Sequence, residues 1–354
     1  MNSQWQTFLE QRGAHIEDGR VVHFGDPAAE LRQVDNGPLL CDLSHLGLID
    51  VHGTDAETFM QGQFCNDVRQ VTEQHSQLSG YCNPKGRLLA TFRLFQHAGH
   101  YYLSLPSALH DPVLKRLRMY VLRAKVTLAT PDTWGSIGLA GVAADELLQT
   151  TLGTAPTDVD AMLVANDCAV LRVAGPQPRF EIHGDYAALR ELWTALAAHA
   201  PAVGANIWGL LDIRSGLATI YPQTSEAFVP QMINLQQVDG VSFSKGCYPG
   251  QEIVARMHYL GKLKRRMYHA HIATSSLPQP GEALFTTAPE AGQDTGMIVT
   301  AQAAPQGGCE VLAVIPSAAV LQRHGDVRLG SATGAPLHFL DLPYAVDEGN
   351  PQPT

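Results

Sequence analysis

The chain has 354 residues, of which 45% are apolar and 16% charged, and its formal net charge is −10. This length suits two or three domains, and the composition indicates a folded globular protein rather than a disordered one. The negative charge argues against indiscriminate binding of nucleic acid. The sequence has no apolar run of membrane-spanning length and no N-terminal signal segment, so we expect no membrane association and a cytoplasmic location.

The cysteines and histidines show no spacing typical of a metal site. No C-x-x-C pair occurs among the six cysteines, and none of the 15 histidines falls into a metal-ligand pattern. The scattered cysteines also give no support for a disulfide framework. The sequence therefore predicts no metal site.

The first half of the chain shows a mixture of helical and strand periodicity. A helix with Trp5, Phe8 and Leu9 on one side is predicted first, followed by a polar loop to about residue 35. The next predicted elements are a strand at 46–53, a helix from 54, a hairpin of strands at 88–95 and 101–105, a helix at 107–122 capped by Ser107, and a strand at 125–130.

The second half begins at a Pro-Asp-Thr turn, residues 131–133, which is typical of a domain boundary. Residues after 267 have short strand-like runs and no helical period, which favours a small β-barrel. The predicted elements are strands at 136–139, 169–173 and 180–183, helices at 186–199 and 207–216, and strands at 268–273, 295–300 and 311–315.

The longest motif is KGCYPGQEIVAR, residues 245–256, which runs on into GKLKRR. Cys247 lies between two glycines just before a helix predicted at 251–259. The positive end of that helix, together with Lys245 and Arg256, favours the thiolate over the thiol. The alternative is that a cysteine in a glycine-rich turn is a small buried apolar residue.

This motif resembles the signature of the YgfZ family of folate-binding, tRNA-modification and iron–sulfur maintenance proteins, which is related to the T-protein (aminomethyltransferase) of the glycine cleavage system. Two further stretches resemble the same family, GLIDVHGTDAETFMQGQFCNDV from Gly47 and FVPQMINLQQVDGVSFSKGCYPGQE from Phe228. The resemblance covers roughly residues 40–345. It implies an α+β fold with a T-protein-like three-module architecture and a C-terminal β-barrel.

The expected modules are interleaved along the chain. We expect a first α+β module, a second α+β module, a C-terminal β-barrel and a disordered tail. Their predicted ranges are 1–130 with 205–266, 131–204, 267–346 and 347–354.

The resemblance implies tetrahydrofolate or a derivative as the cofactor. Glu181 matches the T-protein glutamate that accepts hydrogen bonds from the pterin, and Trp208 matches a tryptophan implicated in folate binding. The alternative interpretation from the local sequence is that Glu181 is a solvent-facing strand residue and that Trp208 is a core aromatic residue. In T-proteins an Asn-containing turn comes before the acidic residues that serve the folate-amine chemistry. Asn83 matches the asparagine of that turn, so the resemblance implies that it is near the cofactor. Gln251 and Glu252 are expected to hold the motif loop or to hydrogen-bond a partner.

The sequence departs from the T-protein pattern at two places. Ala90-Thr91 stands where an acidic pair is expected, and a methyl group and a hydroxyl cannot carry a proton near neutral pH. Aminomethyl transfer is therefore not expected. The second departure is at Leu46, near which the resemblance places a second tryptophan implicated in folate binding. That contact is therefore absent or replaced in this chain.

The resulting expectation is a folate-binding accessory protein that supports the assembly or repair of iron–sulfur enzymes, such as tRNA methylthiotransferases. Cys247 would be its reactive thiol, with Lys245 and Arg256 positioning or activating it. Two alternatives stay open, a folate-dependent one-carbon transferase and a direct tRNA-binding protein. The second would use two basic segments, 85–125 with eight Lys or Arg against one acid, and 245–266 with six against one.

Overall fold

The computed structural model describes residues 1–259, 261, 263–286, 296–317 and 327–346. The tail predicted at 347–354 lies outside these residues. The helices are α1 (Ser3–Glu10), α2 (Pro27–Arg32), α3 (Ala56–Gln61), α4 (Ser107–Arg118), α5 (Ala144–Leu152), α6 (Tyr186–Leu196), α7 (Ala205–Arg214) and α8 (Gln251–Tyr259). The strands are β1 (His15–Glu17), β2 (Arg20–His23), β3 (Leu39–Asp42), β4 (Leu46–His52), β5 (Gln77–Cys82), β6 (Leu88–His97), β7 (His100–Pro106), β8 (Thr127–Ala129), β9 (Trp134–Ala140), β10 (Met162–Ala165), β11 (Cys168–Arg172), β12 (Arg179–Asp185), β13 (Ala202–Val203), β14 (Arg265–Ile272), β15 (Ala283–Thr286), β16 (Gly296–Ala303), β17 (Cys309–Pro316), β18 (Val327–Leu329) and β19 (Leu337–Leu340).

The chain forms two compact units, each made from several segments. The first comprises Met1–Met60, Val68–Gln77 and Phe92–Leu211, and the second comprises Gln61–Asp67, Leu78–Thr91 and Asp212–Thr354. The boundaries predicted for three modules are not tested by this division and stay a prediction.

The first unit is built on a six-stranded sheet with the order β10-β11-β12-β9-β3-β13. Neighbouring strands are antiparallel except β13 and β3, which are parallel. Alternate side chains of β9 and β12, among them Ile137 and Phe180, form one core with apolar residues of α1, α5 and α6. The predicted helix at the N-terminus is confirmed, and Trp5, Phe8 and Leu9 are its buried residues.

The opposite face of this sheet packs against α7 and against strands of a second sheet. Trp208 of α7 packs against Gly138 of β9, where a Cβ would lie 2.5 Å from the indole ring. Phe95 of β6 and Tyr102 of β7 share a second core on this face with Leu171 of β11. In this unit, β6 from Phe92 onward, β7, β4 and β8 are hydrogen-bonded in that order.

The second unit contains the predicted β-barrel as a curled six-stranded half-barrel. Its strand order is β18-β15-β16-β17-β14-β19, and all neighbouring strands are antiparallel. Apolar side chains that alternate along β14, β16 and β17 fill its core. The α+β class expected from the sequence is confirmed.

Most predicted elements are present within a few residues of their expected bounds, including the β6–β7 hairpin and helix α8. The polar loop predicted before residue 35 is wrong, because it contains β1, β2 and α2, which are too short to show periodicity. Ser107 is not the cap of α4. It is already the first helical residue, and Pro106 before it provides no side-chain hydrogen bond to the helix. No helix in the described part of the chain combines the length and apolar character needed to span a membrane.

A buried ion pair joins the end of α7 to the half-barrel. Arg214 donates from Nη2 to Oε1 of Glu310 at 2.8 Å, and His269 Nε2 lies 3.0 Å from Oε2 of the same carboxylate. Burial raises the pKa of Glu310, but the hydrogen bonds and charges of His269 and Arg214 outweigh it and lower the pKa to about 2. This carboxylate therefore stabilises the folded state in its ionised form.

We predict that Glu310→Gln destabilises the chain by about 3 kcal/mol at pH 7, because the interactions that lower the pKa of Glu310 to about 2 stabilise the folded state. The contribution is complete above about pH 5 and is lost as the pH falls through the folded-state pKa of about 2. The difference between wild type and variant, measured by urea unfolding, should therefore narrow from pH 5 to pH 2. Asp341→Asn, at an exposed carboxyl group of the same half-barrel, is the control. A difference independent of pH would contradict this account.

Candidate functional site

The motif loop is held at both ends by buried side chains. The Lys245 ammonium donates hydrogen bonds to the carbonyl oxygens of Gln61, Phe64 and Asn66, at 2.8, 2.6 and 2.9 Å. Tyr248 is also buried, and the Lys245 Nζ lies 5.3 Å from the centre of its ring. Three carbonyl acceptors offset the cost of removing an ammonium group from water. The two side chains therefore anchor the loop inside the second unit.

Between these anchors, Gly246 and Cys247 are exposed. All six cysteines are in the described part of the chain, and the other five are buried. The alternative interpretation of Cys247 as a small buried apolar residue is therefore wrong. An exposed thiol on a loop fixed at both ends can meet a reactant or a partner.

Gly250 brings the loop against the turn at residues 83–87. It has a φ of +82°, and a Cβ there would lie 2.4 Å from the Asn83 carbonyl oxygen and 2.5 Å from the Gly86 nitrogen. Glycine is required at this position both for its conformation and for this close approach. The motif and the turn, which the resemblance associates with folate chemistry, thus pack together in one unit.

Asn83 and Thr91 are both used by the backbone around them. Asn83 Oδ1 accepts hydrogen bonds from the Lys85 and Arg87 nitrogens at 2.8 and 3.0 Å, which closes the turn. The Thr91 hydroxyl donates to the Ala218 carbonyl oxygen and accepts from the Ile220 nitrogen, both at 3.2 Å. A direct contact of Asn83 with a cofactor stays a prediction.

The other motif residues lie on α8, which buries only Val254 of its nine residues. Gln251 is half-buried, whereas Glu252 and Arg256 are exposed. Helix α8 thus presents charged side chains to solvent beside the exposed thiol. The predicted roles of Arg256 in activating Cys247, and of Gln251 and Glu252 in contacting a partner, are not tested by these positions.

A pair of buried thiols lies below the loop, and sequence reasoning did not assign it a role. Burial raises the pKa of Cys65, but a hydrogen bond from Cys82, a backbone hydrogen bond and the Lys245 charge outweigh it and lower the pKa. The pKa of Cys82 is raised by that hydrogen bond and by burial. The signal in the sequence was weak, because the two cysteines lie on different segments of the chain.

The first unit holds a second polar cluster, centred on Glu181. Glu181 is 8% exposed, and its Oε2 lies 3.4 Å from Nε2 of His183, yet neither atom makes a hydrogen bond within the described part of the chain. On its other side, Nδ1 of His183 lies 2.7 Å from the Ser136 hydroxyl, and Phe95 stacks on the imidazole with 4.4 Å between ring centres.

Glu181 is ionised in this setting. Burial raises its pKa, but the close contact with His183 Nε2 and the charges of Arg93, His183 and Arg179 outweigh it, and the pKa falls below its ordinary value. A buried carboxylate that stays charged while one oxygen lacks a hydrogen bond raises the free energy of the folded state. A ligand that donates a hydrogen bond to this oxygen would remove that cost.

Trp208 lies beside this carboxylate. Glu181 pairs with Gly138 in the β12–β9 register, and Trp208 packs on Gly138, so the two side chains are neighbours on one sheet face. Trp208 is only 1% exposed, and the Arg179 guanidinium lies 4.4 Å from the centre of its ring. The structure therefore brings together the two residues predicted for folate binding, and it places Trp208 in the core. Its contact with a folate stays a prediction.

The first basic segment does not form one exposed surface. Arg93 is buried, and its guanidinium contacts Asp160 and Ser76. Lys115 and Lys125 are exposed. Part of the predicted anion-facing surface is therefore internal.

Comparisons with known proteins agree with this architecture. The family model described as the GCVT N-terminal domain matches residues 19–215. The tRNA-modifying protein YgfZ of Colwellia psychrerythraea is 32% identical over 313 residues, which cover 87% of this chain and 93% of the relative. The chain belongs to the YgfZ family.

A second YgfZ protein, from Cronobacter sakazakii, is 31% identical and covers 91% of this chain and 97% of its own length. The crystal structure of glycine cleavage system aminomethyltransferase T from Bartonella henselae has a TM-score of 0.77 and covers 99% of this chain and 98% of its own. At 16% identity this likeness shows the fold alone. The family and the T-protein-like fold predicted from the YgfZ motif are confirmed.

We predict that Lys245→Met destabilises the chain by about 3 kcal/mol or more, because it leaves three buried carbonyl oxygens without their shared donor. The free energy of unfolding in urea measures this loss. Lys264→Met, at an exposed lysine of the same unit, should change it by less than about 0.5 kcal/mol. Equal stability of the two variants would show that the Lys245 ammonium does not hold the loop.

Proposed function

We propose that this chain binds tetrahydrofolate or a derivative and acts as an accessory factor in the assembly or repair of iron–sulfur enzymes, including those that modify tRNA. The proposal combines membership of the YgfZ family with two features of the described residues, an ionised buried carboxylate in the first unit and an exposed thiol in the second. The cytoplasm is the setting we propose for it.

The observation that carries the folate proposal is the buried Oε2 of Glu181, which lies 3.4 Å from His183 Nε2 and has no hydrogen bond among the described residues. A pterin carries N–H donors along one edge, and an ionised carboxylate accepts such donors strongly. Glu181 is the residue at which the family resemblance expects this contact. Trp208 and Arg179, stacked beside it, would form the rigid support of the pocket rather than its exposed wall.

The accessory role rests on Cys247. The resemblance expects a redox- or cluster-responsive thiol at this position, and Cys247 is exposed on a loop that Lys245 and Tyr248 anchor. We propose that it acts on iron–sulfur partner proteins, such as tRNA methylthiotransferases, through contacts with the exposed residues of α8. Contact with tRNA would then be indirect.

Transfer of an aminomethyl group is not part of the proposal. The positions expected to supply the acid pair are a buried Ala90 and a Thr91 whose hydroxyl is bonded to the backbone on both sides. Neither side chain can take a proton from a folate amine.

We predict that tetrahydrofolate stabilises the wild type by about 2.7 kcal/mol at 100 times its dissociation constant, and that Glu181→Gln loses most of this effect. The substitution keeps the side-chain volume and removes the charge that strengthens the hydrogen bonds from the pterin. Thermal unfolding with and without the folate measures both. Glu191→Gln, at an exposed glutamate of α6, should keep the full stabilisation. Equal stabilisation of Glu181→Gln and wild type would place the folate elsewhere, and no stabilisation of wild type at millimolar folate would remove folate from the proposal.

We predict that Cys247→Ser keeps the folate stabilisation but lowers tRNA methylthiolation in cells that depend on this chain. Mass spectrometry of digested tRNA measures the thiolated fraction, and Ser244→Ala, at an exposed serine of the same loop, is the control. Unchanged methylthiolation in Cys247→Ser would contradict a role for this thiol.

Turnover of a methylene- or formyl-folate that Cys247→Ser abolishes would instead support the one-carbon transferase. Strongly salt-dependent binding of tRNA would support the direct tRNA-binding protein.

A further inference from the structure

Asp50, His52 and His100 converge on one face of the sheet in the first unit, outside both clusters described above. Asp50 and His52 are two residues apart on β4 and therefore point to the same face. The β4–β7 register pairs Asp50 with Tyr102 and Val51 with Tyr101, so His100 comes opposite His52. The two imidazole rings lie 4.3 Å apart between their centres.

The nitrogens that face the carboxylate are the same in both rings. Nδ1 of His52 lies 3.2 Å from Oδ1 of Asp50, and Nδ1 of His100 lies 2.9 Å from the same oxygen. The ligand atoms of the three residues all lie within 4.8 Å of one another. In a tetrahedral zinc site with bonds of about 2.0–2.1 Å, ligand atoms are about 3.3 Å apart. The two nitrogen–oxygen distances are thus close to the distances between ligand atoms in such a site.

We propose that Asp50, His52 and His100 form a binding site for a divalent transition-metal ion of the zinc type. Two imidazoles and one carboxylate would supply three ligands and leave the remaining position to water. The side chains of His52 and His100 are 33% and 40% exposed, so an ion can reach the site from solvent. Asp50 is more enclosed, at 13%.

The donor set decides the class of ion. Imidazole nitrogen suits zinc, copper, nickel and iron, whereas calcium and magnesium prefer sites made of oxygen ligands. Because the ligands lie on two hydrogen-bonded strands rather than on a loop, little movement is needed to close the site. Without the ion, the same atoms are held by the hydrogen bonds between the imidazoles and Asp50.

The chain provides a matched comparison in the β1–β2 hairpin. His15 and His23 also stack, with 4.8 Å between ring centres, and His15 Nε2 lies 3.1 Å from a carboxylate oxygen of Glu17. However, Nδ1 of His23 accepts a hydrogen bond from the Gly25 nitrogen. These two histidines and a carboxylate are thus similar in type, but they are not a group of converging ligand atoms among the described residues.

The test is calorimetric titration of the tag-free full chain with Zn²⁺, in a Cys247→Ser background so that the exposed thiol cannot bind the ion. We expect one site per chain, an affinity at least about tenfold weaker in His100→Ala and in His52→Ala, and no change in His15→Ala. Co²⁺ in place of Zn²⁺ should give visible absorption bands of a low-symmetry nitrogen and oxygen site, and the His100 variant should lose them. Circular dichroism confirms that each variant is folded.

Three outcomes would overturn the proposal. One is the absence of a binding heat with Zn²⁺ at about 100 μM, a concentration at which even a weak site fills. Another is equal affinity in the parent, the His52 variant and the His100 variant. Binding that is equally strong for Mg²⁺ would also contradict it, because the donor set would then not explain the preference.

Discussion

The motif loop of the second unit depends on a buried charge. An ammonium group removed from water must keep its hydrogen bonds, and Lys245 does so through three carbonyl oxygens from a single short segment. These oxygens can converge only if residues 61–66 curl around the Nζ atom. The curled segment also pairs with its neighbours, since the Cys65 nitrogen donates to the Gly80 carbonyl oxygen and the Ser242 nitrogen donates to the Cys65 carbonyl oxygen. The exposure of Cys247 is therefore a consequence of what is buried on either side of it.

The first unit presents the opposite situation. There the buried charge is a carboxylate, and its Oε2 has no hydrogen bond within the described residues. The side chains of His183, Arg93 and Arg179 keep Glu181 ionised, and His183 Nε2 lies 3.4 Å from that oxygen without making a hydrogen bond of good geometry. Such an oxygen is rare in a protein core, because the free energy lost when it is removed from water exceeds the attraction to charges that do not hydrogen-bond to it. Lys245, by contrast, has three carbonyl acceptors for its ammonium group.

The sequence predicted those parts that are encoded locally. Helix α8 begins and ends at the predicted residues 251 and 259, because a proline, a glycine and an amphipathic segment follow one another there. What depended on distant segments was not predicted. Lys245 was expected to act on Cys247, but the partners of its ammonium group lie about 180 residues away. His183 could have been found from its position two residues after Glu181 on a strand, whereas its contact with Ser136 required the β9–β12 register. Asp50 and His100 were missed for the same reason, since β4 and β7 must pair before they meet.

Thr91 has a structural use at a position where the T-protein pattern expects an acid. Its hydroxyl joins two backbone groups, as donor to the Ala218 carbonyl oxygen and as acceptor from the Ile220 nitrogen. A carboxylate at this position could accept from Ile220 but, while ionised, could not donate to Ala218, which would leave a carbonyl oxygen facing a negative charge. The hydroxyl can therefore connect residues 218–220 to β6 through both hydrogen bonds. An ionised acid, which proton transfer requires, could not make both of these bonds at this position. In this chain the side chains of Asn83 and Thr91 bond to the backbone around them, whereas Cys247 on the neighbouring loop is exposed.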